Sequence, residues 1–245
     1  MKNIIITGGS GLIGSKISQV LSKTYKIIIV DFVKPKIDLS SNPNIIFYKF
    51  DLTKNKNFET LLKKIKLKYK NIYGLINSIY PQKFKTEKNI LKINQKYFEN
   101  SISQHIGLFF MTTQKFIKIF SNSKNQIKVI NIASIYGEIL PKFEIYKGTN
   151  MYVPLDYCVS KRAIITISKY FAKNLKKKNV IVNTLSPGGI IDNQNKRFLK
   201  NYEAQCINKG MLNTEDLLSG IYFLLDANNS NYNGQNLVID DGFTL

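Results

Sequence analysis

The chain has little of several residue types that often carry function. Its 245 residues include two cysteines, Cys158 and Cys206, and one histidine, His105. Two scattered thiols and one imidazole make no ligand cluster, so no metal site is expected, and a reducing compartment would keep both cysteines as thiols. Cys158 adjoins Tyr157, where a buried helix thiol is a better reading than a nucleophile. No apolar run approaches the roughly 18 residues that cross a bilayer, and Met1-Lys2-Asn3 leads straight into an apolar strand and a glycine turn instead of a signal-peptide core. A soluble, cytoplasmic protein with no membrane partner is expected.

Acidic residues and arginine are scarce as well. The 36 Lys and Arg against 16 Asp and Glu give a formal charge of +20. Such a balance often marks nucleic-acid binders. Here only Arg162 and Arg197 are arginines, whereas phosphate and base recognition favours the bidentate guanidinium. The lysines travel with abundant Asn and Ile, a compositional habit, and those of Leu61 to Lys70 read as the solvated face of an amphipathic helix. No nucleic-acid partner is expected. The positive field instead favours a small anionic substrate.

With 44% hydrophobic residues the chain can bury one core and is short for two. A single domain over 1–245 is expected. Short β-branched runs alternate with helical stretches: strands at Asn3 to Thr7, Lys26 to Val30, Ile45 to Phe50, Ile72 to Asn77, Ile127 to Ile132, Val180 to Leu185 and Asn236 to Ile239. Helices are expected at Leu12 to Lys23, Tyr97 to Phe120, Leu155 to Lys177 and Thr214 to Leu225, the last capped by Thr214. This rhythm predicts an α/β fold, a Rossmann-type doubly wound parallel sheet of about seven strands, with ligands at the carboxyl ends of the strands. No internal repeat or low-complexity linker interrupts it.

Three sets of residues carry chemistry. Gly8, Gly11 and Gly14 follow the first strand and open a helix, which brings backbone and helix amino terminus to a pyrophosphate. Asp31 closes the second strand 17 residues after Gly14, where a carboxylate accepts from an adenosine ribose and repels a 2'-phosphate. That favours NAD over NADP, although Lys34 and Lys36 lie close by; the alternative is an ordinary turn residue. Tyr157 and Lys161 share a helix face, with Ser134 upstream. A tyrosine of reference pKa about 10 needs roughly 4 kcal/mol of phenolate stabilisation to work near neutrality, which an ammonium and a cationic nicotinamide supply. Tyr-x-x-x-Lys alone is a weak motif; its force comes from the order of all three sets.

With these residues, Asn183-Thr184-Leu185-Ser186-Pro187-Gly188 and the closing Gly234 to Gly242, the chain resembles the short-chain dehydrogenase/reductase superfamily from first strand to last. The resemblance implies that Tyr157 is the general acid/base, that Ser134 polarises the substrate oxygen, and that Lys161 binds the nicotinamide ribose and lowers the Tyr157 pKa. It implies cofactor contacts from Gly8, Ser10, Gly11, Leu12, Ile13 and Gly14, from Asp31 and Phe32, and from Asp51 and Leu52 beside the adenine. Asn77 and Ser78 would lie by the ribose, and Pro187, Gly188 and Ile190 at the carboxamide. Ile76 to Pro81, Ala133 to Gly137, Pro141 to Tyr146 and Asn208 to Leu212 are similar to flagellin-modification oxidoreductases of bacterial surface-sugar pathways. That implies a sugar or sugar-phosphate substrate and a homodimer or homotetramer built on the two long helices.

Several positions depart from the family pattern. Ser78, Ile79 and Tyr80 follow Asn77 where the family has Asn-Ala-Gly, so Tyr80 narrows the substrate mouth. Ser134 and Tyr157 are 23 residues apart, a wide gap that makes 138–154 an insertion on the rim. Substrate contact by Tyr136, Lys142 and Tyr146 competes there with a plain surface or subunit-contact loop. His105 stands where the family has a water-holding asparagine, and relay or packed core both remain open. Asp192 or Asn193 replaces the usual threonine after Pro-Gly. Residues 193–212 read as a lid in which Arg197, Phe198, Lys200 and Tyr202 grip an anionic sugar beside Gly189, or as an amphipathic helix packing Phe198 and Leu199 inward.

The expectation is an NAD-dependent oxidoreductase moving a hydride to or from a carbohydrate hydroxyl or ketone. The alternatives are a redox-neutral, NAD-retaining epimerase or dehydratase and a catalytically silent NAD-binding protein.

Overall fold

Strands covered by helices on both faces must be apolar on both, and the isoleucine-rich runs of this chain meet that condition. In the computed structural model, which describes residues 1–54, 57–81, 87–121, 125–176 and 178–245, they form β1 (Asn3–Thr7), β2 (Lys26–Asp31), β3 (Ile45–Lys49), β4 (Ile72–Asn77), β5 (Ile127–Ile132), β6 (Val180–Pro187) and β7 (Asn236–Ile239). All pair in parallel in one sheet of order β3-β2-β1-β4-β5-β6-β7. The order reverses between β1 and β4, which opens a crevice at the carboxyl ends of those two strands.

Helices cover both faces: α1 (Leu12–Leu21), α2 (Phe58–Lys68), α3 (Gln95–Phe120), α4 (Leu155–Asn174), α5 (Lys196–Glu203) and α6 (Leu218–Leu225). Alternate strand residues divide between two cores. Ile4, Ile6, Ile27 and Ile29 pack under α1 and α6 with Ile17, Leu21, Ile221 and Leu224. Ile5, Ile28 and Val30 pack under α2 and α3 with Phe58, Leu62, Phe116 and Phe120. No helix among the described residues is long and apolar enough to cross a membrane.

The expected strands are all present, with β2 and β6 running to Asp31 and Pro187. Helix ends differ more. The helix expected over Leu61 to Lys70 begins earlier, at Phe58. The α3 helix starts at Gln95 because the Asn94 side chain accepts the Tyr97 N–H (3.0 Å). Lys177, expected to close α4, lies outside the described residues. Thr214 is not a cap: a 3-10 turn at Thr214–Leu217 precedes α6, and the Asp216 carboxylate reaches back to the Asn213 N–H (2.7 Å).

The placement of α1 depends on two glycines. Gly8 has φ +69°, and a Cβ there would lie 2.4 Å from the Ser78 carbonyl oxygen. A Cβ on Gly14 would lie 2.2 Å from the Gly8 carbonyl oxygen. Backbone cannot yield as a flexible side chain can, so Gly14→Ala is expected to lower the unfolding free energy by about 1–3 kcal/mol. Urea denaturation checks this; an unchanged midpoint would show that α1 shifts without cost.

Candidate active site

The carboxyl ends of β1, β2, β4, β5 and β6 surround a cleft of about 880 Å³. One half presents a helix start and a carboxylate. The α1 helix starts at Gly11 without a side-chain cap, so its first-turn N–H groups have no intrahelical partner and carry the positive end of the helix dipole. Gly8, Ser10, Gly11, Leu12 and Ile13 line the wall there. Gly14 sits behind them and serves the close packing of α1.

Asp31, at the tip of β2, accepts the Ser10 N–H (3.0 Å) and the Val33 N–H (3.2 Å). The Ser10 hydroxyl donates to the Val33 carbonyl (2.7 Å). The carboxylate and the glycine turn therefore hold each other in place, with Phe32 beside them on the wall. Asp51 lies two residues beyond the end of β3. Hydrogen bonds from the Thr53 hydroxyl (2.6 Å) and N–H (2.9 Å) hold its carboxyl below the usual range, and Leu52 adjoins it on the wall.

The expectation for Asn77 is corrected. Its side chain is fully buried: Oδ1 accepts from the Thr7 hydroxyl (2.7 Å), and Nδ2 donates to Asn131 Oδ1 (2.6 Å) and to the Thr113 hydroxyl (3.2 Å). The amide is consumed in tying β1, β4, β5 and α3 together. Ser78 and Ile79 reach the wall in its place.

The second half carries the hydroxyls. Ser134, just beyond β5, accepts the Tyr136 N–H (3.2 Å). Gly137 lets the turn at Ile135–Gly137 press on α4, since a Cβ there would lie 2.9 Å from the Lys161 backbone. That contact sets Ser134 against the helix bearing Tyr157 and Lys161. The Lys161 ammonium is buried, donates to the Ile132 carbonyl (3.1 Å) and lies 5.5 Å from the centre of the Tyr157 ring. Burial pushes the Tyr157 phenol up to about 12, against a downward pull from the Ser134 hydroxyl, and pushes Lys161 down to about 8. The neighbouring Cys158 thiol is pushed up to about 11 by burial and the Asp156 charge, which makes it a poor nucleophile.

Tyr80 lies over this half, its ring 6.2 Å from that of Tyr157 and edge-on to the His105 ring at 5.3 Å. His105 is buried on α3 behind the wall. Its Nδ1 is 2.9 Å from the Ser101 carbonyl oxygen, and the Ser101 hydroxyl donates to Asp156 at the start of α4. Sequence reasoning missed Ser101 and Asp156. The signals available were the i, i+4 spacing of Ser101 and His105 and the position of Asp156 next to Tyr157.

Pro187, Gly188, Gly189 and Ile190 form the remaining wall. The Gly189 N–H donates to the Tyr202 hydroxyl (2.6 Å), whose ring stacks on Phe243 at 4.3 Å. Asp192 and Asn193 are exposed and off the wall. Of the expected substrate contacts, Tyr80, Tyr136 and Gly189 line the cleft, whereas Lys142, Tyr146 and Arg197 do not. Lys142 lies over the Phe243 ring (4.9 Å), Tyr146 shares a hydrogen bond with the Tyr136 hydroxyl (2.7 Å), and the Arg197 guanidinium packs on Gly148. Arg197 and Tyr146, whose ring lies 5.3 Å from that of Phe198, join 138–154 to α5, where Asn201 also donates to the Ile145 carbonyl (3.0 Å). Phe198 and Tyr202 are buried, so α5 is docked through its apolar face and neither ring is free to grip a sugar.

Comparison with known proteins accords with this geometry. The family described as Enoyl-(Acyl carrier protein) reductase matches residues 13–244. The chain belongs to the short-chain dehydrogenase/reductase family. It is 33% identical to post-translational flagellin modification protein A of Campylobacter coli, over the whole chain and 98% of that protein. It is 27% identical to 7alpha-hydroxysteroid dehydrogenase of Bacteroides fragilis, over the whole chain and 95% of that protein. A short chain dehydrogenase from Leptospira borgpetersenii, solved with bound NAD+, superposes with a TM-score of 0.89 at 29% identity, covering the whole chain and 93% of its own. The protein is thus an NAD(P)-dependent dehydrogenase or reductase of this family, acting on a small molecule.

The buried Lys161 makes stability depend on pH. Its folded pKa of about 8 lies below the ordinary 10.5, so between those values the unfolded chain binds more protons and stability rises with pH. Compared with Lys161→Met, the wild-type protein is expected to gain up to about 3 kcal/mol over that window. Urea unfolding at several pH values checks it; a constant difference would mean that Lys161 is not charge-penalised by burial.

Proposed function

We propose that the protein is an NAD-dependent oxidoreductase that moves a hydride to or from a carbohydrate hydroxyl or ketone in bacterial surface-glycan or flagellin-sugar synthesis. One observation carries the reading: the Tyr157 and Ser134 hydroxyls open onto the same cleft as Asp31 and the uncapped start of α1. The residues suit a dinucleotide, because Gly8 lets the turn close against the Ser78 backbone, α1 offers free N–H groups to a pyrophosphate, and Asp31 stands where a ribose hydroxyl would donate. A bound nicotinamide supplies the hydride acceptor or donor.

The chain's own residues handle the oxygen and its proton. Ser134 donates to the substrate oxygen and Tyr157 exchanges its proton with it. With burial holding the phenol high, positive charge beside the ring is needed to bring it toward neutrality, and Lys161 is the cation within reach. Tyr80 and Tyr136 offer aromatic surface to a sugar ring. Asp31 favours NAD because its charge, fixed by Ser10, opposes a 2'-phosphate. An anionic handle extends to the rim, where the net charge of +20 attracts it. We place the enzyme in the cytoplasm as a homodimer or homotetramer joined through α3 and α4, whose outer faces expose Phe110, Val159 and Tyr170.

The test is absorbance of reduced nicotinamide when the purified protein and NAD meet free sugars, hexose phosphates, nucleotide sugars and a hydroxysteroid. NAD reduction by one sugar class is expected. Silence across the sugars with NAD still bound would favour redox-neutral or non-catalytic use, and activity on the steroid alone would replace the substrate class. Asp31→Ala is expected to lower kcat/KM for NAD at least tenfold, about 1.4 kcal/mol, and to narrow the preference over NADP. An unchanged NAD/NADP ratio would remove Asp31 from cofactor choice.

A further inference from the structure

His105 is buried, yet among the described residues its Nε2 has no hydrogen-bond partner. Its other nitrogen explains the ring's chemical state. Nδ1 is 2.9 Å from the Ser101 carbonyl oxygen, which only accepts, so Nδ1 carries the hydrogen and Nε2 holds a lone pair. The Ser101 hydroxyl, 3.4 Å from Nδ1, gives its own hydrogen to Asp156 and leaves its oxygen free to accept from the ring. A carboxylate, a hydroxyl and an imidazole are thus aligned behind the Tyr157 and Lys161 face of α4.

The titratable groups around His105 are Tyr97 on α3, Tyr80 after β4, and Tyr152, Asp156, Tyr157 and Lys161 on or just before α4. Burial first, and the Lys161 charge after it, hold the imidazole below its ordinary pKa, while the Ser101 carbonyl and Asp156 pull it up. The ring is therefore neutral near pH 7 and able to take a proton.

This step rests on the dehydrogenase reading above. When a substrate alcohol is oxidised, its C–H hydrogen leaves as hydride for the nicotinamide dinucleotide and its O–H proton goes to the Tyr157 phenolate. That proton must leave before the next turnover. We propose that it passes by way of Lys161 and a bridging water, which donates to the free lone pair, to Nε2 of His105, forming an imidazolium beside Asp156 that later releases the proton to solvent, with Ser101 and Asp156 as positioning residues that hold the ring in its Nδ1–H form. Asp156 balances the transient charge, and the Ser101 carbonyl keeps Nε2 available. In the reverse direction the same atoms supply the proton.

Because His105 is the one histidine of the chain, a long-range proton–nitrogen NMR spectrum of the imidazole contains a single ring and reads its tautomer without substrate. The Nδ1–H form is expected. With the panel sugar that reduces NAD, kcat for oxidation is expected to fall on the acidic side at a pH below the ordinary histidine value of about 6.5. That limb should move to lower pH in Asp156→Asn, which loses an upward influence on the imidazole, and disappear in His105→Gln with kcat down about tenfold at pH 7 and KM for NAD little changed. Ser101→Ala, which keeps the backbone carbonyl and so the Nδ1–H form but breaks the hydroxyl link to Asp156, is expected to shift the same limb and serves if Asp156→Asn fails to fold. An Nε2–H tautomer, or a pH profile unaltered by His105→Gln, overturns the relay while leaving the dehydrogenase intact. Failure of every panel compound, sugars and hydroxysteroid alike, to reduce NAD counts against the dehydrogenase reading and takes the relay with it.

Discussion

The site depends on how closely α1 can approach the end of β1. Gly8 and Gly14 let two backbones meet where any Cβ would collide with a carbonyl oxygen, and this seats an uncapped helix start at the crevice where the sheet order reverses. The same turn supplies the Ser10 N–H that fixes Asp31. One steric constraint thus positions both the positive end of a helix dipole and a carboxylate, the two features a dinucleotide needs in opposite places.

A second constraint organises the reacting half. Lys161 is buried with its ammonium on the Ile132 carbonyl, and Gly137 presses the turn after Ser134 against the backbone of the same helix. Burial disfavours charge on Lys161 and on the Tyr157 phenol alike, lowering one pKa and raising the other. Their values, about 12 and about 8, lie farther apart than the 10.0 and 10.5 of the free side chains, so Tyr157 holds its proton and needs added positive charge beside the ring to release it.

The strands were legible because apolar β-branched runs bounded by turns leave little choice, and the glycine spacing, Asp31 and the Tyr157–Lys161 pair could be placed from order alone. Side-chain direction was not legible. Asn77 was assigned to the ribose, but a period-two strand turns it inward, where Thr7, Thr113 and Asn131 consume its amide. Lys142, Tyr146 and Arg197 looked like substrate contacts because they sit on rim segments, yet packing between 138–154 and α5 uses Tyr146 and Arg197, and Lys142 lies on the Phe243 ring. The link from Asp156 through Ser101 to His105 joins residues 55 positions apart in sequence, a pairing that no local pattern announces.

The most direct test of the account is Tyr157→Phe, with turnover and NAD affinity measured on the same preparation. Turnover is expected to fall roughly 10²–10⁴-fold with NAD affinity nearly intact, since Asp31, the glycine turn and Lys161 remain. Turnover equal to the wild-type rate would contradict it.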